Sequence, residues 1–352
     1  MRQALALARR GLGRTWPNPS VGCVIVKNGH VVGCGRTAQS GRPHAEAEAL
    51  RDAGSSAKGA TAYVSLEPCA VAGREGPCAQ ALIHAGIARV VIACIDTNPV
   101  VSGRGISMLK DAGIEVTLGI LEHEAQALNH GFFLRFSEQR PLIILKTACS
   151  MDGKVALANG QSQWITGDLA RRHVHSLRAQ HDAVLVGIGT VNMDDPMLNA
   201  RVDGLEHNTV RMILDSKLET PIDSRIVRSA RDYPVWIFHE DKPVDKIRAM
   251  EAAGVRLFPI TTKALKPILQ QIAEAGITRV LVEGGRNIHT AFLREEFADA
   301  FYVYRAPCIL GADALDAVLP IGYQDLNQAK RFQRQEIIAL EQDSLEIYMR
   351  PR

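Results

Sequence analysis

At 352 residues, with 46% hydrophobic and 22% charged side chains, the chain has the make-up of a folded protein and the length of two compact units, which excludes disordered and fibrous classes. Its 41 basic and 38 acidic residues are interspersed to a net charge of +3, which argues against an extended nucleic-acid-binding surface and leaves small anionic ligands open. No apolar run approaches the roughly 20 residues of a membrane helix, and the stretch ending at Arg9 and Arg10 lacks the apolar core of a secretion signal, so a cytoplasmic protein without a membrane partner is expected.

An amphipathic helix opens the chain, followed by a strand at 21–26, an Asn28-Gly29 hairpin signal and a returning strand at 30–36. Helical spacing covers 44–53, a buried strand 61–67, a helix 79–85 and a strand 89–96. A short helix through Leu109, a strand at 115–119 and one helix over 122–137 follow. The pattern predicts a three-layer α/β domain with a mixed sheet. Arg140-Pro141 interrupts it, and the domain boundary is placed there, giving domains 1–140 and 141–352. In the second domain, strands are expected at 142–146, 183–187, 210–215, 235–238, 255–259, 279–283 and 300–306, with helices in most of the gaps. This is a separate α/β domain and not a repeat of the first.

The seven cysteines form an odd set. Cys23, Cys34, Cys94, Cys149 and Cys308 lie in apolar, strand-like runs and read as buried thiols. Cys69 and Cys78 each follow a proline in a segment rich in glycine and charge. With His44, which opens a predicted helix, they form a set of one imidazole and two thiolates. Three protein ligands leave the fourth tetrahedral position of a zinc ion to water, as catalysis requires. The metal lowers the pKa of that water toward neutrality, and Glu46, two residues after His44, is placed to move its protons without ligating the metal. This is the His-x-Glu and Pro-Cys logic of zinc deaminases, with eight residues between the cysteines instead of two. His84 falls on a helix with no second ligand beside it and reads as a solvated side chain.

The segments Thr15-x-Pro17-Asn18-Pro19-x-Val21-Gly22, His44-Ala45-Glu46, Leu66-Glu67-Pro68-Cys69 with Cys78, and Asp96-x-Asn98-Pro99 followed by Gly103-x-Gly105 carry a resemblance to the bifunctional riboflavin-biosynthesis deaminase-reductases. It continues through the second half. The resemblance implies a cytidine-deaminase-like first domain and a dihydrofolate-reductase-like second domain. It further implies deamination of a diaminopyrimidinone carrying a phosphoribosylamino group, then NADPH-dependent reduction of the ribosyl group to ribityl. By the same resemblance Asn18 binds the pyrimidine and Arg74 faces the ribose phosphate. On their own residues, Asn18 between two prolines is equally a turn residue, and Arg74 a solvated loop charge. Two departures stand out: Thr37 and Val71 replace histidines of the family, and Gly73-Arg74-Glu75-Gly76 replaces its Gly, basic, Thr, Pro loop.

Three polar segments of the second domain fall at the ends of predicted strands, where open α/β sheets bind ligands. They begin at Lys146, at Val186 and at Val282, and the last reads as strand, glycine turn and helix N-terminus. No Gly-x-Gly-x-x-Gly follows the first strand, so a standard dinucleotide fold is not expected. The resemblance assigns Ala148, Trp164, Thr190, Asp194, Ser216, Gly285, Arg286, Asn287 and Ile288 to NADPH. Ser162, Arg178, Leu198, Arg201 and Glu283 are assigned to the substrate, the two arginines suiting its phosphate. Lys146 is a candidate for positioning the ribose, while no catalytic residue of the reductase is named. Read without the resemblance, Trp164 is equally a core residue and Arg178 a member of a solvated helix face with Arg171 and Arg172. The partner is a small molecule, with no nucleic acid and with room for a homo-oligomer. The competing readings are a zinc deaminase of nucleic-acid bases with an accessory domain, and a degenerate deaminase domain kept as a scaffold.

Overall fold

The computed structural model describes residues 1–71, 76–99, 101–202, 204, 209–240 and 243–351. It divides into two compact units, Met1–Pro141 with Ile272–Thr278, and Leu142–Gln271 with Arg279–Arg352. Among the described residues no helix is long and apolar enough to cross a membrane.

The first unit is built on strands β1 (Gly22–Lys27), β2 (His30–Arg36), β3 (Thr61–Val64), β4 (Arg89–Ile92) and β5 (Glu115–Leu118), in the order β2-β1-β3-β4-β5. Asn28 and Gly29 both take positive φ, 51° and 78°, as the tight turn between β1 and β2 demands. β1 pairs antiparallel with β2 and β3, and β3, β4 and β5 run parallel. The sheet is therefore mixed, as the hairpin followed by crossover helices requires.

Gly33 and Gly35 of β2 let the helix Ala45–Ala53 lie directly on the strand. A Cβ on Gly35 would fall 2.1 Å from the Ala45 carbonyl, and one on Gly33 2.4 Å from that of Ala49. Alternation then turns Cys34 to the opposite face, so it is exposed and not a core thiol as expected; Cys308 is only half-buried. The single helix expected over 122–137 is two, Glu122–Leu128 and His130–Ser137. The break is at Asn129, whose side-chain oxygen accepts from the Ser20 amide at 2.9 Å while its nitrogen donates to the Ser20 carbonyl at 3.0 Å. A buried amide satisfied on both sides outweighs one further turn of helix.

The second unit holds a nine-stranded sheet made of β6 (Leu142–Cys149), β8 (Ala183–Gly187), β9 (Val210–Leu214), β10 (Val235–His239), β11 (Arg256–Pro259), β12 (Arg279–Val282), β13 (Ala300–Arg305), β15 (Gln333–Leu340) and β16 (Asp343–Met349). The order is β11-β10-β9-β8-β12-β6-β13-β16-β15. A small pair joins β7 (Lys154–Ala156) to β14 (Leu315–Asp316). From β11 to β13 every pairing is parallel, and the central strands are largely apolar and buried, as is usual in a parallel sheet. The antiparallel hairpin β15–β16 closes one edge and was not expected from the sequence. Its turn at Glu341, with φ of 59°, lacks the usual Asn-Gly or Asp-Gly signature.

Arg211, the second residue of β9, is fully buried. Its guanidinium reaches the Met197 carbonyl at 3.0 Å, the Ser229 hydroxyl at 2.9 Å and the Ser229 and Tyr233 carbonyls at 3.1 and 2.5 Å. A charge in a strand core is tolerated because several carbonyl dipoles replace its water.

Candidate functional site

His44 caps the N-terminus of the helix Ala45–Ala53 in extended conformation, and Glu46 lies in the first turn with 3% exposure. Cys69 follows β3 on an irregular segment, and Cys78 is the first residue of the helix Cys78–His84. The three metal candidates meet. His44 Nδ1 is 3.3 Å from Cys78 Sγ and 3.6 Å from Cys69 Sγ, and all three atoms lie within 4.8 Å of one another. Tetrahedral zinc with ordinary Zn–N and Zn–S bonds separates such a nitrogen and sulfur by about 3.5 Å. Among the described residues no fourth His, Cys, Asp or Glu joins the group, so the set suits a metal with one coordination position left for a non-protein ligand. His84 is exposed and contacts Gln80, as expected of a solvated residue.

The electrostatics suit a divalent cation. Hydrogen bonding from the Cys78 side chain, aided by His44 and the Cys78 amide, holds the Cys69 thiol down to about 4 against burial. Hydrogen bonding to Cys69 and burial push Cys78 the other way, as expected of two thiols competing for one proton. A cation that stabilises both as thiolates removes that competition. Burial, reinforced by Cys69, pushes the Glu46 carboxyl up to about 7.

Asn18 is half-buried, and its side-chain nitrogen donates to the Gly41 carbonyl at 2.9 Å. Gly41 has φ of 87°, and a Cβ there would strike the Asn18 amide at 2.2 Å, so the two positions are matched. Thr37 is 3% exposed. Its hydroxyl accepts from the Val21 amide at 2.9 Å and donates to the Pro19 carbonyl at 3.1 Å, which occupies it in shaping the loop around Asn18. Val71 is exposed. Arg74 lies outside the described residues.

In the second unit several of the expected residues lie at or just after the carboxyl ends of β9, β8, β12 and β6, which are adjacent in the sheet. Ala148 is on β6, Thr190 and the exposed Asp194 on the helix after β8, and Ser216 just after β9. Gly285, with φ of 46°, caps the helix Arg286–Arg294 that follows β12 and carries Asn287 and Ile288. A Cβ on Gly284 would lie 2.9 Å from Val186, and one on Gly187 2.9 Å from Ile288, so these glycines let the turn and helix N-terminus press on the end of β8. Free backbone amides at such a helix start suit a phosphate.

Glu283 is the hub of the substrate candidates. Arg178 grips it through Nε at 2.5 Å and Nη2 at 2.9 Å, and Lys146 Nζ lies 3.8 Å away. Burial pushes the Glu283 carboxyl up, but Arg178 and Lys146 outweigh it and hold it down to about 2. Arg178 is thus no member of a solvated helix face, and its Nη1 also donates to the Asn199 carbonyl at 3.2 Å. The exposed Arg201 reaches the Asn199 side chain at 3.1 Å and contacts His175 at 2.9 Å. Leu198 is buried with φ of 53°. Ser162 is half-buried. Trp164 is 69% exposed, with the Arg171 guanidinium 4.6 Å above its ring, and so is not a core residue. Tyr304, whose hydroxyl is 2.7 Å from His173 Nδ1 and whose ring faces Lys146, escaped the sequence reading because nothing local marks a strand tyrosine.

Comparison with known proteins agrees with both halves. The family described as the cytidine and deoxycytidylate deaminase zinc-binding region matches residues 1–94, and the RibD C-terminal domain matches residues 141–344. The riboflavin biosynthesis protein RibD of Aquifex aeolicus is 40% identical over 350 residues, covering 99% of this chain and 97% of that one. The Escherichia coli RibD is 42% identical over 348 residues, covering 96% and 95%. Among solved structures, an Acinetobacter baumannii RibD superposes with a TM-score of 0.92 at 40% identity, covering 100% of this chain and 98% of that one. A Thermotoga maritima diaminohydroxyphosphoribosylaminopyrimidine deaminase/5-amino-6-(5-phosphoribosylamino)uracil reductase superposes with a TM-score of 0.88 at 35% identity, covering 100% and 97%.

Proposed function

Because this chain belongs to the RibD family and is a bifunctional deaminase and reductase of riboflavin biosynthesis, we propose which of its residues perform each reaction. His44, Cys69 and Cys78 hold zinc, and Glu46 is the proton carrier. The observation that carries this reading is the nitrogen and two sulfurs 3.3 and 3.6 Å apart, with a buried carboxyl two residues from the imidazole. Bound zinc supplies Lewis acidity that lowers the proton affinity of water. Glu46 accepts a proton from the attacking water and delivers it to the departing amine, while the water's second proton ends on the adjacent ring nitrogen. The ring carbon gains a C=O bond, the C–N bond breaks and ammonia leaves. Asn18, fixed by Gly41, holds the pyrimidine, and Arg74, outside the described residues, is assigned to the ribose phosphate.

Residues 1–140 form the deaminase domain and residues 141–352 the reductase domain. When bound, NADPH would supply the hydride, and a proton taken up from solvent would complete the opening of the ribosyl group to ribityl. The turn and helix start at Gly285, Arg286, Asn287 and Ile288 bind its phosphates, with Ala148, Trp164, Thr190, Asp194 and Ser216 along the same sheet edge. Glu283, oriented by Arg178 and Lys146, faces the ribose with Ser162 and Leu198, and Arg201 takes the phosphate. The substrates are small phosphoribosyl pyrimidines, handled in the cytoplasm without nucleic acid, by a chain that can assemble with copies of itself.

The test is an assay of ammonia release from the diaminopyrimidinone phosphoribosyl substrate by wild type and Glu46→Ala. The variant should retain its zinc and lose on the order of 10²–10⁴-fold in deamination. Full-rate deamination by the variant, or by wild type free of metal, would refute the assignment.

A further inference from the structure

Two motifs of the first unit, Asp96-x-Asn98-Pro99 and Gly103-x-Gly105, take no part in the site described above, although Asp96 is buried. What they enclose is Glu67, two residues before Cys69 and 3% exposed. Its Oε2 accepts from the amides of Gly103 at 3.0 Å and Asp96 at 3.3 Å, and its Oε1 from those of Gly105 at 3.0 Å and Ile106 at 3.4 Å. Three of these amides open the helix Arg104–Asp111, where a carboxylate satisfies donors left free by the first turn. Gly105 makes the approach possible: a Cβ there would fall 1.9 Å from the carbonyl oxygen of Pro68. The 103–106 turn therefore lies flush against the peptide that leads into Cys69. The Asp96 carboxylate shapes the same segment by accepting from the Asn98 amide at 2.8 Å.

We infer that Glu67 is a positioning residue for the metal centre: its carboxylate draws the 103–106 turn onto Pro68 and so fixes the Cys69 sulfur opposite His44. The inference rests on the assignment of His44, Cys69 and Cys78 as metal ligands. Glu67 is not among the three candidate ligands, and both of its carboxylate oxygens are taken up by backbone amides. Its influence passes through the backbone, which a carboxylate bonded to amides on both oxygens holds more rigidly than an amide side chain would, because the amide's NH2 would confront backbone donors.

The experiment compares full-length wild type with Glu67→Gln by zinc competition against a chromophoric chelator and by the absorption bands of the cobalt(II)-substituted protein, which report ligand geometry. Glu67→Gln should bind zinc about 10–100-fold more weakly, with shifted cobalt bands, and should keep wild-type NADPH oxidation on pre-deaminated substrate. A wild-type zinc dissociation constant with unchanged cobalt bands would overturn the inference. If Glu67→Gln does not accumulate as folded protein, Gly105→Ala decides, since it keeps the carboxylate but drives a methyl group onto the Pro68 carbonyl. Weakened zinc binding with shifted bands supports the inference, and unchanged values overturn it. Wild type that takes up neither zinc nor cobalt overturns the ligand assignment itself, and the inference with it.

Discussion

Glu283 shows what a single buried side chain can control. With 7% of its side chain exposed and two cations beside it, its carboxylate is tolerable only while Arg178 and Lys146 remain, and they need it equally. Glu283→Gln leaves both cations without a counter-charge, and urea unfolding of the second unit should show a loss of about 3–5 kcal/mol. The pH dependence has a definite sign. The folded-state pKa, held down to about 2, lies below the ordinary carboxylate value of 4.5, so the stabilisation is complete above 4.5 and disappears as pH falls from there toward 2. Melting temperature followed from pH 5 downward should therefore drop more steeply in wild type than in Glu283→Gln; parallel slopes would contradict the linkage. The sequence marked Glu283, Arg178 and Arg201 separately. The fork between Glu283 and Arg178, 105 residues apart, is a product of the fold alone.

At the scale of elements, the proposed zinc site depends on how closely the helix Ala45–Ala53 sits on β2, because His44 and Glu46 are carried at its N-terminal end. That closeness comes from two missing side chains. Gly35→Ala would place a methyl 2.1 Å from the Ala45 carbonyl and 2.5 Å from the Ala49 amide, forcing the helix off the strand. The expected cost is about 1–3 kcal/mol of overpacking, together with reduced zinc content, measured by thermal unfolding and metal analysis. Wild-type zinc content and melting would show that the helix can shift without disturbing the ligands. The glycines were visible in the sequence, but their purpose was not, because close approach depends on which residue of a distant helix lies opposite. Asn129 is similar: the pattern over 122–137 is helical throughout, and only its pairing with Ser20 explains the break.

For the whole molecule, the central consequence is that two chemistries with different requirements share one chain. The metal candidates all belong to the first unit, and the glycine turn and the Glu283 cluster to the second. A strong chelator should therefore abolish deamination and leave NADPH oxidation on pre-deaminated substrate unchanged, and zinc should restore the former. Simultaneous loss of both activities would show that the second unit also needs the metal.

What the sequence by itself determined was whatever is encoded within a few residues: apolar runs that become strands, the Asn28-Gly29 turn, and the ordered His44, Glu46, Cys69 and Cys78 with their flanking prolines. These signals survive because metal ligation, turn geometry and strand burial each impose a residue type at a fixed local spacing. Tertiary structure alone decided how the Glu67 carboxylate meets the amides of Asp96 and the 103–106 turn, why Arg211 is tolerated in a strand, how Arg178 is committed to Glu283, and that the second sheet closes on an antiparallel hairpin. Each depends on groups far apart along the chain whose charges and hydrogen bonds are satisfied only once the backbone has brought them together, and no local pattern records that meeting.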